Sequence, residues 1–174
     1  MASFPATFAA GCFWGTERYF KKQFGEALLS YKVGYMGGTT TSPSYQDVCT
    51  GTTGHAEVLH LECDASKVTY DDLVQFFFRM HNPTTKNQQG NDRGTQYRSA
   101  IFYHSEAQRT AAESYIRQLQ ENEKLAATLS RTFGTSKIST TVEPASVFYE
   151  AEAYHQRYLE ANPRGYCNHR VYWQ

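Results

Sequence analysis

The sequence predicts an α+β domain, a ferredoxin-like split βαβ sheet with helices packed on it and an irregular C-terminal tail. Segments of period-two alternation and segments of helical spacing follow one another in the order β-α-β-β-α-β, with a further α-β-α interleaved or appended. The 174 residues are 40% hydrophobic and 15% aromatic, with 11 Phe and 13 Tyr, enough large side chains for one core without disulfide staples. No internal repeat and no low-complexity stretch divides the chain, so residues 1–174 are read as a single domain.

Each element has its own signal. Ala6 to Ala10 is a short apolar run ending at Gly11, a strand. Phe13, Phe20 and Phe24 then recur near helical spacing up to Gly25. Leu29, Tyr31, Val33 and Tyr35 alternate with Ser30, Lys32 and Gly34, a half-buried strand ending at Gly37-Gly38, and a polar loop follows. From Ala56 to Cys63 a second alternation puts Glu57, Leu59, Leu61 and Cys63 on one face and His60 and Glu62 on the other. Thr69 and Asp72 form a capping-box pattern ahead of Leu73, Phe76, Phe77 and Met80, with Asn82-Pro83 as the stop. A strand is expected over Gln96 to Tyr103, a long polar helix from the Ser105 cap to about Leu129, a strand around Ile138 to Val142, and a last helix from about Val147 to Ala161. Residues 164–174 form the tail, which carries Cys167.

Lys and Arg together number 17, as do Asp and Glu, so the formal net charge is zero. Nucleic acid and acidic membranes select a surplus of clustered basic residues, which this chain lacks, and no apolar run reaches the length of a membrane span. The first basic residue is Arg18, so the start reads as mature protein rather than a secretory signal. Four cysteines, Cys12, Cys49, Cys63 and Cys167, are too sparse for a disulfide framework and point to a reducing compartment, the cytoplasm. No C-x-x-C pair occurs, and Cys167 with His169 is too short an element for a zinc site, so no metal is expected. Without an unpaired apolar stripe, a monomer is expected.

The chemistry centres on Cys12, placed where the first strand ends and the first helix begins. Free N–H groups and the positive end of the helix dipole stabilise a thiolate there, and a fall in pKa from about 8.5 to about 7 raises its fraction at neutral pH roughly 15-fold. Cys12 is thus a candidate nucleophile, against the alternative of an inert buried thiol. Phe13 and Trp14 beside it are candidates for lining an apolar substrate pocket, or plain core. Glu57 opens a strand on its buried face, where desolvation keeps a carboxyl group protonated and able to act as a general acid; the alternative is a side chain turned to water or paired with Arg. The turn-rich stretch from Asn87 to Arg98, holding Asp92 and Tyr97, and the loop holding Tyr45 are the usual settings for site residues. Tyrosine hydroxyls there can donate to a developing oxyanion, although with so many Tyr each also has a structural reading. His55, His81 and His155 are candidate bases or hydrogen-bonded packing residues.

Gly-Cys-Phe-Trp-Gly-Thr-Glu at 11–17, Gly-His-Ala-Glu at 54–57, Gly-Asn-Asp-Arg-Gly-Thr-Gln-Tyr-Arg-Ser at 90–99 and Asn-Pro-Arg-Gly-Tyr-Cys at 162–167 together resemble the A-class peptide methionine sulfoxide reductases, over nearly the whole chain. The resemblance implies that Cys12 attacks the sulfoxide sulfur, that Glu57 supplies the proton, and that Cys12 is left as a sulfenic acid. It implies that Tyr45 and Tyr97 hold the sulfoxide oxygen, that Asp92 stands near them, and that Phe13 and Trp14 cup the substrate methyl group. The substrate is then the S epimer of methionine sulfoxide, free or within proteins, and the role is repair of oxidative damage. Cys167 is the implied resolving cysteine, brought in by a mobile tail over 164–174 to form a Cys12–Cys167 disulfide that thioredoxin opens, with no other cofactor. The tail departs from relatives with a glycine-rich extension and a second recycling cysteine, so the reductant should meet this disulfide directly. Cys49, eight residues before Glu57, is a further candidate thiol, and Cys63 is expected to be inert. A thiol peroxidase using the same cysteine pair, a Cys-His hydrolase, and a redox-sensitive binding module without turnover are the alternatives; the first works without Glu57, the second without Cys167.

Overall fold

The computed structural model describes residues 2–174. In chain order the elements are β1 (Ser3–Ala10), α1 (Phe13–Phe24), β2 (Leu28–Met36), α2 (Tyr45–Cys49), β3 (Ala56–Asp64), α3 (Tyr70–Arg79), the hairpin β4 (Gln88–Gln89) and β5 (Asp92–Arg93), β6 (Ser99–Tyr103), α4 (Glu106–Glu121), α5 (Glu123–Phe133), β7 (Thr141–Pro144), β8 (Tyr149–Glu150) and α6 (Tyr158–Ala161). Six strands make one sheet in the order β7-β6-β1-β3-β2-β8. Its central four, β6-β1-β3-β2, are mutually antiparallel, the ferredoxin-like arrangement that the sequence predicts, and β7 adds parallel to β6.

Period-two alternation decides what each face of the sheet carries. Phe8, Leu59, Leu61 and Ile101 face the helices with Phe20, Leu73 and Phe77, whereas Ala9, Val58, Ala100 and Phe102 turn to the opposite face under Ala145 and Phe148. Phe8 lies 5.3 Å from the rings of both Phe20 on α1 and Phe77 on α3, which ties the central strand to both helices. Truncating a ring at such a junction costs about 3–5 kcal/mol. The β3 register sets Glu57 opposite Tyr35 and Leu59 opposite Val33 and Phe8, so Glu57 belongs to the helix-facing side.

Three expected elements differ from the structure. The long helix after Ser105 is two: Asn122 adopts φ −74°, ψ 124° and its side chain accepts the Leu125 N–H at 3.1 Å, starting α5 afresh as an N-cap. The helix expected over 147–161 is broken into the short strand β8, a 3₁₀ turn at Ala153–His155 and the four-residue α6. β8 pairs with β2, the Ala151 N–H bonds the Val33 carbonyl at 3.0 Å, and the Gln156 side chain clasps the backbone N–H and carbonyl of Val33 at 2.9 and 2.8 Å. The free edge of β2 therefore captures a segment whose spacing alone reads as helical. A left-handed Arg157 (φ 53°) then leaves only the four-residue α6. The strand expected from Gln96 begins at Ser99, because Thr95–Tyr97 form a 3₁₀ turn. The loop after β2 contains α2, closed by a capping box between Ser44 and Asp47.

Residues 164–174 are irregular, as expected, but most of the tail is fixed to the body. Asn168 donates to the Gln89 carbonyl, His169 bonds the Ala10 carbonyl, Tyr172 N–H bonds the Arg79 carbonyl at 2.7 Å and Trp173 Nε1 bonds the Phe78 carbonyl at 3.2 Å.

Candidate active site

The turn from β1 into α1 passes through Gly11 at φ +86°, a conformation that favours glycine, and a Cβ there would press on the Gln89 side chain at 2.6 Å. Cys12 is the N-cap of α1, 9% exposed, and the N–H groups of Trp14 and Gly15 point at its sulfur. The expected helix-start donors are thus present, but they do not produce a resting thiolate. Burial first, and then the nearby Glu57 carboxylate, hold the thiol well above its ordinary range. The expectation of a lowered thiol pKa in the free protein is corrected on that ground.

Glu57 is 1% exposed. Its Oε1 accepts the Phe13 N–H at 3.1 Å, which joins the start of β3 to the first turn of α1, and its Oε2 is buried without a partner. Burial pushes its pKa up to about 8, with the Phe13 N–H acting against the shift and the Asp92 charge for it. At neutral pH this carboxyl group carries a proton and has one oxygen free to deliver it. The two alternatives of solvent exposure and pairing with Arg are not what the structure has.

Aromatic rings surround this pair. Phe13 lies 5.8 Å from Tyr35, 6.4 Å from Tyr45 and 5.2 Å from His155. Trp14 stacks on Tyr158 at 3.8 Å and its indole N–H donates to His155 Nδ1 at 3.0 Å. Tyr45, Tyr97 and Cys49 act on one another, and burial and the Glu57 charge raise both tyrosines far above their ordinary range, so both hydroxyls keep their protons as donors. Burial raises Cys49 too, which leaves it a thiol. Asp92, raised by burial, accepts from the Tyr166 hydroxyl at 3.2 Å and the Asn168 side chain at 3.4 Å, the two residues on either side of Cys167. Burial and the neighbouring Asp92 push Tyr166 up to about 12, with Cys12 and Cys167 both close enough to contribute. All four cysteines are free, and Cys63 is buried in the core, raised to about 12 chiefly by burial.

Cys12, Phe13 and Glu57 thus meet directly at the β1–α1 turn, with Trp14, Tyr45, Tyr97, Asp92 and Cys167 around them, whereas Cys63, His55 and His81 lie apart from it. Several that sequence reasoning missed support it. Glu152 accepts the Tyr45 N–H and the Tyr35 hydroxyl, both at 3.0 Å; burial opposes its ionisation, but these donors hold it below the usual carboxylate range. Nothing in its sequence context marks it. Tyr166 and Asn168 flank Cys167, and that adjacency was the available signal. The three candidate bases are packing residues: His55 bonds Gly38 N and Thr40 O, His81 bonds Phe77 O and Ser99 Oγ and is pushed down to about 3 by burial, and His155 receives Trp14. Among the described residues no three His, Cys, Asp or Glu side chains gather as a metal-binding set, and no helix is long and apolar enough to cross a membrane.

The family model described as peptide methionine sulfoxide reductase matches residues 5–174. The chain is 52% identical over 162 residues, 93% of its length and 89% of the relative's, to the peptide methionine sulfoxide reductase MsrA of Methanothermobacter thermautotrophicus. The structure of Mxr1 from Saccharomyces cerevisiae in reduced form superposes with a TM-score of 0.84 at 40% identity, covering 95% of this chain and 88% of that one. Mxr1 in complex with Trx2 superposes with a TM-score of 0.64 at 27% identity, covering 98% and 91%. These matches define the chain as an oxidoreductase. The chain belongs to the peptide methionine sulfoxide reductase family.

Proposed function

We propose that this enzyme reduces methionine S-sulfoxide, free or within proteins, through Cys12 with Glu57 as the general acid. The observation that carries the reading is Glu57: a carboxyl group kept protonated near neutral pH by burial, with one oxygen bound to Phe13 N–H and the other unpartnered. Phe13 and Trp14 receive the apolar methyl group, and the Tyr45 and Tyr97 hydroxyls donate to the sulfoxide oxygen with Asp92 beside them. Cys12 sulfur attacks the substrate sulfur while the Glu57 proton passes to the oxygen. The oxygen ends on Cys12 as a sulfenic acid, methionine leaves as the thioether, and the thiol proton restores Glu57. Cysteine sulfur is oxidised by two electrons and the substrate sulfur reduced by two, so the half-reaction needs no prosthetic group. A thiol held up by burial ionises as it is drawn onto a sulfur made electron-poor by protonation of its oxygen, which couples activation to bound substrate.

Cys167 then condenses with the sulfenic acid, releasing water and forming the Cys12–Cys167 disulfide, which thioredoxin opens. The complex of Mxr1 with Trx2 supports this partner. The setting is protein repair by a monomer in the reducing cytoplasm. Single-turnover reduction of a methionine S-sulfoxide peptide, with thiols counted by mass spectrometry, tests the reading. Wild type should give one methionine and lose two thiols, and Cys12→Ser should give none; methionine from Cys12→Ser, or none from wild type, overturns it.

A further inference from the structure

We propose that His169 is the positioning residue of the recycling step, a key that docks the tail into the β1–α1 turn and sets Cys167 against Cys12. This rests on the cysteine relay proposed above. His169 is 5% exposed, and its Nε2 bonds the backbone carbonyl of Ala10 at 2.5 Å. A carbonyl only accepts, so the proton sits on Nε2, and Nδ1 is left bare and buried without a partner. Burial pushes the ring's pKa down to about 4, so it stays neutral over the working pH range. The slot it fills exists because Gly15 has no side chain: a Cβ there would overlap the His169 ring. The adjacent Asn168 side chain donates to the Gln89 carbonyl at 3.0 Å, and the Gln89 side chain closes over Gly11.

Chain arithmetic explains what this docking accomplishes. Cys12 is two residues beyond Ala10, and Cys167 is two residues before His169. Each two-residue link spans at most about 7 Å, so the one hydrogen bond ties the two cysteine-bearing segments together at their shared root. A disulfide needs Cα atoms about 4.4–6.8 Å apart, a separation that short tethers on a fixed pivot reach without a search by a free tail. The step itself joins Cys167 sulfur to Cys12 sulfur and breaks the S–O bond; the hydroxyl leaves with the Cys167 proton as water. The sulfenic sulfur is reduced by the electrons that the thiol loses. Formation of methionine, which precedes this step, does not use His169.

The test separates the two half-reactions in His169→Ala, in His169→Leu, which fills the slot without donating, and in His169→Gln, which keeps a donor. With a sulfoxide peptide in single turnover, the first two variants should release methionine at the wild-type rate but form the disulfide about tenfold or more slowly, with Cys12 sulfenic acid trapped by dimedone. Thioredoxin-driven turnover should fall by the same factor, turnover with dithiothreitol should hold, and His169→Gln should recover most of the disulfide rate. A wild-type disulfide rate in the alanine and leucine variants, or an equal fall in methionine release and disulfide formation, overturns the proposal. Absence of methionine from wild type would instead remove the reductase reading beneath it.

Discussion

Glu57 gives a pH dependence with a definite sign at the scale of one side chain. In the proposed mechanism its protonated form is the working one, and its pKa is raised to about 8 chiefly by burial. The rate of sulfoxide reduction should therefore decline as pH rises through about 8. Glu57→Gln should lose that limb of the profile and be slower by about 10²–10⁴-fold, read from single-turnover methionine release against pH. The same group bears on stability. An unfolded glutamate ionises near 4.5 while the folded one holds its proton to about 8, so between those values the folded state binds more protons and loses stability as pH rises. Glu57→Gln should raise the thermal midpoint, and by more at about pH 8.5 than at about pH 5; equal gains at both would mean that the buried charge is not the cause.

At the scale of elements, two capping boxes of the same design do different work. Thr69 starts α3, a core helix carrying Leu73, Phe76 and Phe77, so Thr69→Ala should lower global stability by about 1 kcal/mol in chemical denaturation and leave turnover unchanged. Ser44 starts the five-residue α2, which carries Tyr45 at one end and Cys49 at the other. Ser44→Ala should cut turnover severalfold while the denaturation midpoint barely moves, because α2 positions Tyr45 but puts a single buried side chain, Val48, into the core. A loss of turnover in Thr69→Ala matching that in Ser44→Ala would deny α2 this special role. Capping boxes are local, which is why Thr69 was legible as one. Ser44 was not singled out, because the five residues after it are too few for a helical period.

Over the whole molecule, the tail is the part on which the proposed cysteine relay depends. Backbone and side-chain bonds tie Asn168 to Trp173 to the body, whereas Asn162, Pro163, Arg164 and Tyr166 are exposed, the Asn162 and Gly165 N–H groups bond within the local turn, and the Tyr166 hydroxyl reaches Asp92. We propose that the mobile portion is narrower than 164–174 and lies over residues 162–167. Hydrogen exchange of the reduced enzyme should show fast exchange there and a protected Tyr172 amide, which bonds the Arg79 carbonyl. Equal exchange on both sides of Cys167 would remove the division.

Local rules were enough for the sequence by itself to determine the central β-α-β-β-α-β order and the inward face of Glu57, while the family's motifs, not local rules, pointed to Cys12, Phe13, Trp14, Tyr45, Asp92, Tyr97 and Cys167 as the proposed site. Strand alternation, helix spacing and turn chemistry depend on neighbours a few positions away. Only the tertiary structure decided that Cys12 rests as a thiol, because desolvation outweighs the helix-start donors once the sheet and helices close around it. It alone decided that β8 pairs with the edge of β2, that Glu152 braces Tyr45, and that His169 fills the space left by Gly15. Each of these joins positions that the chain keeps more than a hundred residues apart, and burial and hydrogen bonding at that separation exist only after the fold has formed.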